Sequence, residues 1–97
     1  METCVVSGWI SKDYRLKAPV EVWPVMQVEG WYTASVDAFP LEGTGDTPEE
    51  AVNSWITEIA FVATFGSGYR HRAEVMALLV YDPAVANDVR PLLRWGD

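Results

Sequence analysis

The sequence is poor in the side chains from which catalytic and metal sites are most often built. Its 97 residues include one cysteine, Cys4, and one histidine, His71. A single cysteine cannot form an intramolecular disulfide or a cysteine-built zinc site, and no paired His or Cys spacing typical of a metal site is present. Cys4 and His71 could act together as nucleophile and base, but no neighbouring residues support that pairing. We therefore predict a protein that is not an enzyme, with no catalytic residues, no metal and no cofactor.

Basic side chains are also scarce. Seven lysines and arginines stand against 14 acids, which gives a net charge of −7 at pH 7. A protein that binds nucleic acid through phosphate contacts needs a basic surface, so we expect no direct binding to duplex DNA. The acidity instead favours a basic protein partner, or imitation of the charge of a nucleic acid. The alternative is that the charge only keeps the protein soluble.

Long apolar runs are missing as well. No stretch approaches the ~18 apolar residues of a membrane span, so we expect no membrane segment. The residues from Met1 to Val6 lack the basic start and apolar stretch of a signal peptide. A single cysteine agrees with a reducing compartment, and we predict a cytoplasmic location. A length of 97 residues fits one domain, 1–97, and no repeat or linker divides it.

The strongest local signal lies between Thr47 and Phe65. Thr47 is suited to be an N-cap, Pro48 the first helical residue, and Glu50 the third, which is the spacing of a capping box. Gly66 follows as the expected C′ residue. A helix over this stretch would bury one apolar stripe, formed by Val52, Trp55, Ile56, Ile59, Val62 and Ala63.

The first half of the chain has the alternation and turn residues of short strands. Strands are predicted over 4–10, 14–17, 20–28, 31–39 and, very short, 42–44. Pro24 cannot donate to a ladder, so the strand over 20–28 should be at an edge or bulged there. Glu29-Gly30 indicates a two-residue hairpin turn.

The last third is more ambiguous. The composition of 73–81 favours a helix at its start and a strand at its end, and we predict a buried strand. Asp82-Pro83 repeats the cap signature and predicts a short helix to about Arg94, interrupted or ended by Pro91. The predicted fold is thus α+β: a small antiparallel sheet of three to four strands, with the main helix on one face and a short C-terminal helix.

One face of this sheet is the candidate binding site. Alternation puts Tyr32, Ala34 and Val36 on the side that the helix should cover. The other side or its rim would carry the candidate partner-binding residues Trp23, Trp31, Asp37, Glu29, Glu42 and Asp46. Either this aromatic and acidic surface is an interface, or the N-terminal strand or C-terminal helix covers it. A further alternative for Trp31 is a place in the core or in a homodimer contact.

The basic cluster of the chain runs from Arg70 to Arg72 and includes His71. Its side chains could bind an anion, could be solvated at the start of a strand, or could neutralise nearby carboxylates. The residues alone do not decide between these roles.

The sequence resembles the HicB antitoxin family in several motifs that occur in the family's order. The motifs are Glu29-Gly30-Trp31-Tyr32-Thr33-Ala34-Ser35-Val36, then Phe39-Pro40, then Gly45-Asp46-Thr47-Pro48-Glu49-Glu50-Ala51. The most specific part is Gly45-Asp46-Thr47 with Glu50-Ala51, and the resemblance covers about residues 20–81.

The resemblance implies a partial ribonuclease-H-like unit, a small antiparallel sheet in the order β-β-β-α-β with the helix packed on it, with 4–10 as an additional strand. HicB-like antitoxins bind and neutralise a small basic ribonuclease toxin, and most carry a C-terminal DNA-binding segment. Here the family's Pro-Gly-Cys is replaced by Pro40-Leu41-Glu42. Only 16 residues follow Tyr81, too few for a standard DNA-reading module, so we expect an inhibitor-type domain without that segment.

Three functions follow as alternatives. The first is a HicB-like protein that sequesters a basic partner such as a ribonuclease toxin. The second is a phage or mobile-element inhibitor of a host defence nuclease, of the anti-CRISPR kind, that uses the same fold. The third, least supported by the residues present, is an enzyme with a degenerate nuclease-like carboxylate site.

Overall fold

A computed structural model describes residues 2–86 and 88–96 of the chain. The elements in chain order are β1 (Thr3–Gly8), β2 (Tyr14–Leu16), β3 (Val20–Met26), β4 (Tyr32–Ser35), β5 (Gly43–Gly45), α1 (Pro48–Phe65), α2 (Arg72–Ala77), β6 (Leu79–Tyr81) and β7 (Pro91–Gly96). The fold class is α+β, as predicted, with one main helix packed on an antiparallel sheet.

The main sheet has five strands in the order β5-β4-β3-β1-β7, and every neighbouring pair is antiparallel. A second, two-stranded sheet joins β2 to β6. The main sheet is therefore larger than the three to four strands expected. The additional strand is β7, which pairs with β1 along its whole length from Thr3–Gly96 to Gly8–Pro91.

Pro24 lies in the interior strand β3 rather than in an edge strand. The pairing of β3 with β1 ends at Val22, whereas its pairing with β4 continues through Pro24 and Ala34 to Met26. From Trp23 onward, β3 therefore has a neighbour on one side only. This local edge tolerates a residue without an N–H group. The strand as a whole is not an edge strand, so that part of the prediction was wrong, but Pro24 does lie where β3 has an edge.

The β3–β4 connection is one residue longer than predicted. The Gln27 N–H donates to the Trp31 carbonyl over 2.6 Å, and the Gly30 N–H donates to the Gln27 carbonyl over 3.0 Å. These bonds enclose a three-residue loop, 28–30, rather than a two-residue turn. Gly30 has φ 94°, the left-handed conformation that closes such loops and that glycine adopts without strain.

Helix α1 begins and ends where its sequence signals predict. Thr47 is the N-cap, and its Oγ1 accepts the Glu50 N–H over 3.1 Å. The Glu50 carboxylate accepts the Asp46 N–H over 2.9 Å, which completes a capping-box arrangement one residue earlier than in the usual form. All six residues of the predicted apolar stripe are buried, together with Ala51. Gly66 is the C-cap, but its φ of −87° is not left-handed.

The helix lies directly on strand β5 because that strand contains glycines. A methyl group at Gly43 would overlap the backbone nitrogen of Trp55 and the carbonyl oxygen of Ala51. A methyl group at Gly45 would meet the Ala51 nitrogen at 2.6 Å. Glycine is thus needed here for close approach of two backbones, not for a special φ. The contact seats Trp55, which is fully buried, in the centre of the core.

The prediction of one strand over 73–81 was wrong in its first half. Arg72–Ala77 is helix α2, and only Leu79–Tyr81 forms a strand, β6. Arg72 explains part of the difference, since its Nη2 donates to the Ala63 carbonyl in the last turn of α1 over 3.2 Å. This bond satisfies a carbonyl near the helix end and holds α2 against α1. Val75, fully buried, completes that contact.

The predicted C-terminal helix is absent from the described residues, and strand β7 (Pro91–Gly96) occupies its second half. Asn87, which that prediction also covered, lies outside the described residues. Asp82 does not cap a helix, because its carboxylate and its carbonyl make hydrogen bonds to residues that are distant in the sequence. Its carboxylate accepts a hydrogen bond from Arg15 Nε over 2.9 Å, and its carbonyl accepts a hydrogen bond from Trp9 Nε1 over 2.7 Å. These bonds hold the β2–β6 sheet against the end of β1.

We predict that the Thr47 cap contributes measurable stability. Thr47→Ala removes the oxygen that accepts the Glu50 N–H, and should lower the free energy of unfolding by about 1 kcal/mol in a urea melt. Thr64→Ala is the matched control, since Thr64 is exposed in the last turns of the same helix. Equal effects of the two substitutions would show that the cap contributes nothing specific.

Candidate partner-binding face

The side of the main sheet opposite α1 presents a continuous surface, which we call the open face. The strand registers align its side chains in short rows, each of which crosses two or three neighbouring strands. Its members are Thr3, Val5 and Ser7 of β1, Glu21, Trp23 and Val25 of β3, Thr33 and Ser35 of β4, Thr44 of β5, and Leu92 and Arg94 of β7. Trp31 and Asp37 flank β4 at its two ends.

Neither terminal segment covers this face. Both were considered as covers from the sequence, but β1 and β7 lie within the sheet and extend the open face instead. Trp23 keeps 40% of its surface exposed, and Leu92 keeps 68%. Within residues 2–86 and 88–96, the open face is therefore solvent-exposed, while α1 packs on the other side, on the Tyr32, Ala34 and Val36 face as predicted.

Trp23 and Asp37 lie in one groove of the open face. The groove has a volume of about 520 Å³, and Glu21, Ser35 and Ala38 also line it. Trp23 and Ser35 are paired across β3 and β4, so the indole borders the end of β4 at which the chain turns away. An indole wall beside two carboxylates suits a cationic side chain, which can contact the ring face and pair with an acid.

Ala38 supports the shape of this groove through its backbone. It has φ 57°, in the left-handed region, which costs an alanine roughly 1 kcal/mol. The Phe39 N–H donates to the Val36 carbonyl over 3.1 Å and closes a tight turn around Asp37. Asp37 is consequently held at the rim of the groove, exposed to solvent.

Trp31 and Asp46 lie together in a second groove, at the other end of β4. This groove has a volume of about 430 Å³, and Thr44 and Gly45 complete its lining. Trp31 is 37% exposed. It is four residues from Ser35 along an extended chain, so the two grooves are roughly 13 Å apart. The structure thus pairs each predicted tryptophan with a predicted acid, but in separate grooves.

The other two predicted site residues lie outside these grooves. Glu29 is exposed in the 28–30 loop, and Glu42 is exposed in the connector before β5. Neither lines the groove of Trp23 or that of Trp31. Both residues add to the negative charge of the chain, but neither side chain lines a groove.

Arg94 and Leu92 belong to the open face and were missed in the sequence, because their segment was predicted as a helix. Arg94 and Glu21 flank Val5 in one row, on the two strands next to β1, which places them roughly 10 Å apart. The alternation of outward Leu92 and Arg94 with inward Leu93 and Trp95 is the period of a strand. That signal could have identified β7.

The basic cluster has a structural role. His71 precedes α2, and its Nδ1 lies 2.7 Å from the Glu74 carboxylate. Arg70 Nε donates to His71 Nε2 over 3.1 Å, and Arg72 donates to the end of α1 as described above. The cluster therefore makes hydrogen bonds within itself, to the carboxylate of Glu74 and to the end of α1.

Cys4 cannot serve as a nucleophile in this fold. It is fully buried in β1, and burial raises the pKa of its thiol above the ordinary value, which favours the unreactive neutral form.

Among residues 2–86 and 88–96, no group of three or more His, Cys, Asp or Glu side chains is placed to hold a metal ion. In the same residues, neither helix is long and apolar enough to cross a membrane.

Comparison of the chain with protein-family models, with curated proteins and with solved structures gives no match. The site is therefore described by its own geometry: an exposed sheet face with two grooves, each of which combines a tryptophan with an acid.

We predict that the His71–Glu74 contact is visible in the titration of Glu74. The hydrogen bond from His71 lowers the pKa of Glu74 below its ordinary 4.5. A lowered pKa favours the folded state above pH 4.5, and this contribution is lost as the pH falls through the folded-state pKa. In a carboxyl-carbon NMR titration, His71→Ala should return the pKa of Glu74 toward 4.5. An unchanged pKa would show that His71 does not stabilise the carboxylate.

Proposed function

We propose that this chain is a non-catalytic binding protein of HicB type, which sequesters a basic protein such as a ribonuclease toxin on the open face of its sheet. The observation that carries the proposal is the exposure of Trp23 and Trp31 beside Asp37 and Asp46, in grooves that the described part of the chain leaves uncovered. Tryptophan is over-represented among the residues that dominate binding energy at interfaces.

Charge favours a basic occupant of this face. The chain has a net charge of −7, and each groove has at least one carboxylate at its rim. Acids around an apolar centre accelerate the association of a partner of opposite charge and disfavour acidic competitors. Nucleic acid is disfavoured for the same reason, since its phosphates would meet carboxylates rather than basic side chains.

The HicB-type assignment draws its support from the resemblance together with the local geometry of its motifs. The Glu29-Gly30 motif lies in the β3–β4 hairpin, and the Thr47–Glu50 motif caps the helix that covers β3, β4 and β5. Gly45, in the most specific part of the resemblance, is a position where the helix backbone leaves no room for a side chain. Strand β7 extends the sheet beyond the β-β-β-α-β unit and the additional strand that the resemblance implies, and β6, the first strand after α1, pairs with β2 outside the main sheet.

Replacement of the exposed tryptophans should weaken partner binding. Trp31→Ala should cost 2 kcal/mol or more of binding free energy, an order-of-magnitude value for an interface hot spot. Trp23→Ala should act in the same direction from the other groove. The measurement is titration calorimetry with the purified basic partner, recovered by pull-down from the source cell and identified by mass spectrometry.

Tyr81→Ala is the matched control, because Tyr81 is also an exposed aromatic residue, 66% accessible, but lies on β6 of the two-stranded sheet and not on the open face. A thermal melt and a size-exclusion run beside the titration separate the alternatives for Trp31. A lower melting temperature would indicate a core role, and loss of a dimer would indicate a self-contact. Unchanged affinity in both folded tryptophan variants would exclude the open face as the binding site.

Asp37→Lys provides a kinetic readout of the same proposal. Reversal of one rim charge should slow association and reduce its salt dependence, with little effect on dissociation. The identity of the captured protein separates the two inhibitor functions. A small basic ribonuclease encoded next to this chain supports the antitoxin function, and a host defence nuclease with neighbouring phage genes supports the alternative.

A further inference from the structure

A second exposed apolar surface lies on α1, on a flank of the helix that does not face the sheet. Phe61 is 59% exposed and Phe65 is 70% exposed, and their ring centroids are 5.2 Å apart. Tyr69, 38% exposed, follows in the turn after the helix. These residues line a groove of about 300 Å³ together with Glu58 and Gly66. We call this surface the aromatic patch.

The charges around the aromatic patch differ from those of the rest of the chain. Residues 58–77 contain two acids, Glu58 and Glu74, and two arginines, Arg70 and Arg72. This segment is therefore neutral at pH 7 in a chain whose net charge is −7. Two copies of the chain therefore meet no net like charge through this segment, whereas a basic partner would gain little electrostatic attraction there.

The order of the charges fits a two-fold pairing. Glu58 lies one helical turn before Phe61, at the N-terminal end of the patch, and Arg70 directly follows Tyr69 at the other end. In an isologous dimer the same surface meets itself in reverse order. Glu58 of one copy would then approach Arg70 of the second copy, twice in each dimer, around a centre of four phenylalanines.

We propose that the aromatic patch is a homodimer interface, in which Phe61 and Phe65 of two copies pack together and Glu58 of each copy pairs with Arg70 of the other. The three aromatic residues expose on the order of 300 Å² in each copy. This area is below that of a standard interface, so the dimer is weak, with a dissociation constant on the order of 10 µM. The open face lies on the opposite side of the sheet from α1, so both open faces stay free in the dimer.

Sedimentation velocity of the full chain over roughly 1 to 300 µM tests the interface. The wild-type chain should pass from monomer to dimer across this range. Phe61→Ser and Phe65→Ser should each raise the dissociation constant at least about tenfold, because each dimer loses two aromatic side chains. Met26→Ser is the matched control, since Met26 is 60% exposed at the end of β3 and should leave the dimer unchanged. Circular dichroism confirms that each variant is folded.

Charge reversal tests the pairing itself. Glu58→Arg and Arg70→Glu should each weaken self-association, because each places like charges together twice in the dimer. The double variant should recover it, and an equimolar mixture of the two single variants should form a heterodimer by native mass spectrometry.

A wild-type chain that stays monomeric over the whole range would overturn the proposal. A dimer that persists in both serine variants would also overturn it and would indicate another interface, such as the free edge of β7. Failure of both the double variant and the mixture to recover association would reject the Glu58–Arg70 pairing on which the two-fold arrangement rests.

Discussion

The fold depends on the close approach of α1 to β5. At Gly43 and Gly45 there is no room for a side chain, because the helix backbone around Ala51 and Trp55 lies directly against the strand. This approach buries Trp55 completely and places the apolar stripe of α1 over β3, β4 and β5. One face of the sheet is thereby used for the core. The other face is left exposed, and β1 and β7 enlarge it.

This arrangement separates two surfaces of different character on one small domain. The open face combines exposed indoles with carboxylates and belongs to the acidic part of the molecule. The aromatic patch on α1 lies in the electrically neutral segment and belongs to the other side of the sheet. Because α1 and the sheet lie between them, a partner on one surface does not compete with a contact on the other. The acidity that would attract the proposed basic partner would also restrict where two copies of the chain can meet.

The sequence predicted the elements whose signals are local. The Thr47 cap, the apolar stripe of α1 and the turn glycine of the β3–β4 hairpin need only neighbouring residues, and the structure confirms all three. The open face also followed from alternation along β3 and β4. Trp23 shares a groove with Asp37, and Trp31 shares one with Asp46. These pairings depend on the registers between strands, which the sequence alone does not give.

The errors occurred where distant contacts decide the structure. Asp82 has the local signature of a helix cap, yet Arg15 and Trp9, more than 60 residues away, hold its carboxylate and carbonyl. Arg72 favours α2 through a bond to the end of α1 that no local pattern reveals. The direct test of the proposed binding site is hydroxyl-radical footprinting of the tryptophans, in the free chain and with the proposed basic partner. We expect Trp23 and Trp31 to be oxidised in the free chain and protected in the complex, with Trp55 protected in both. Protection of Trp23 and Trp31 in the free chain, or their continued oxidation in the complex, would contradict it.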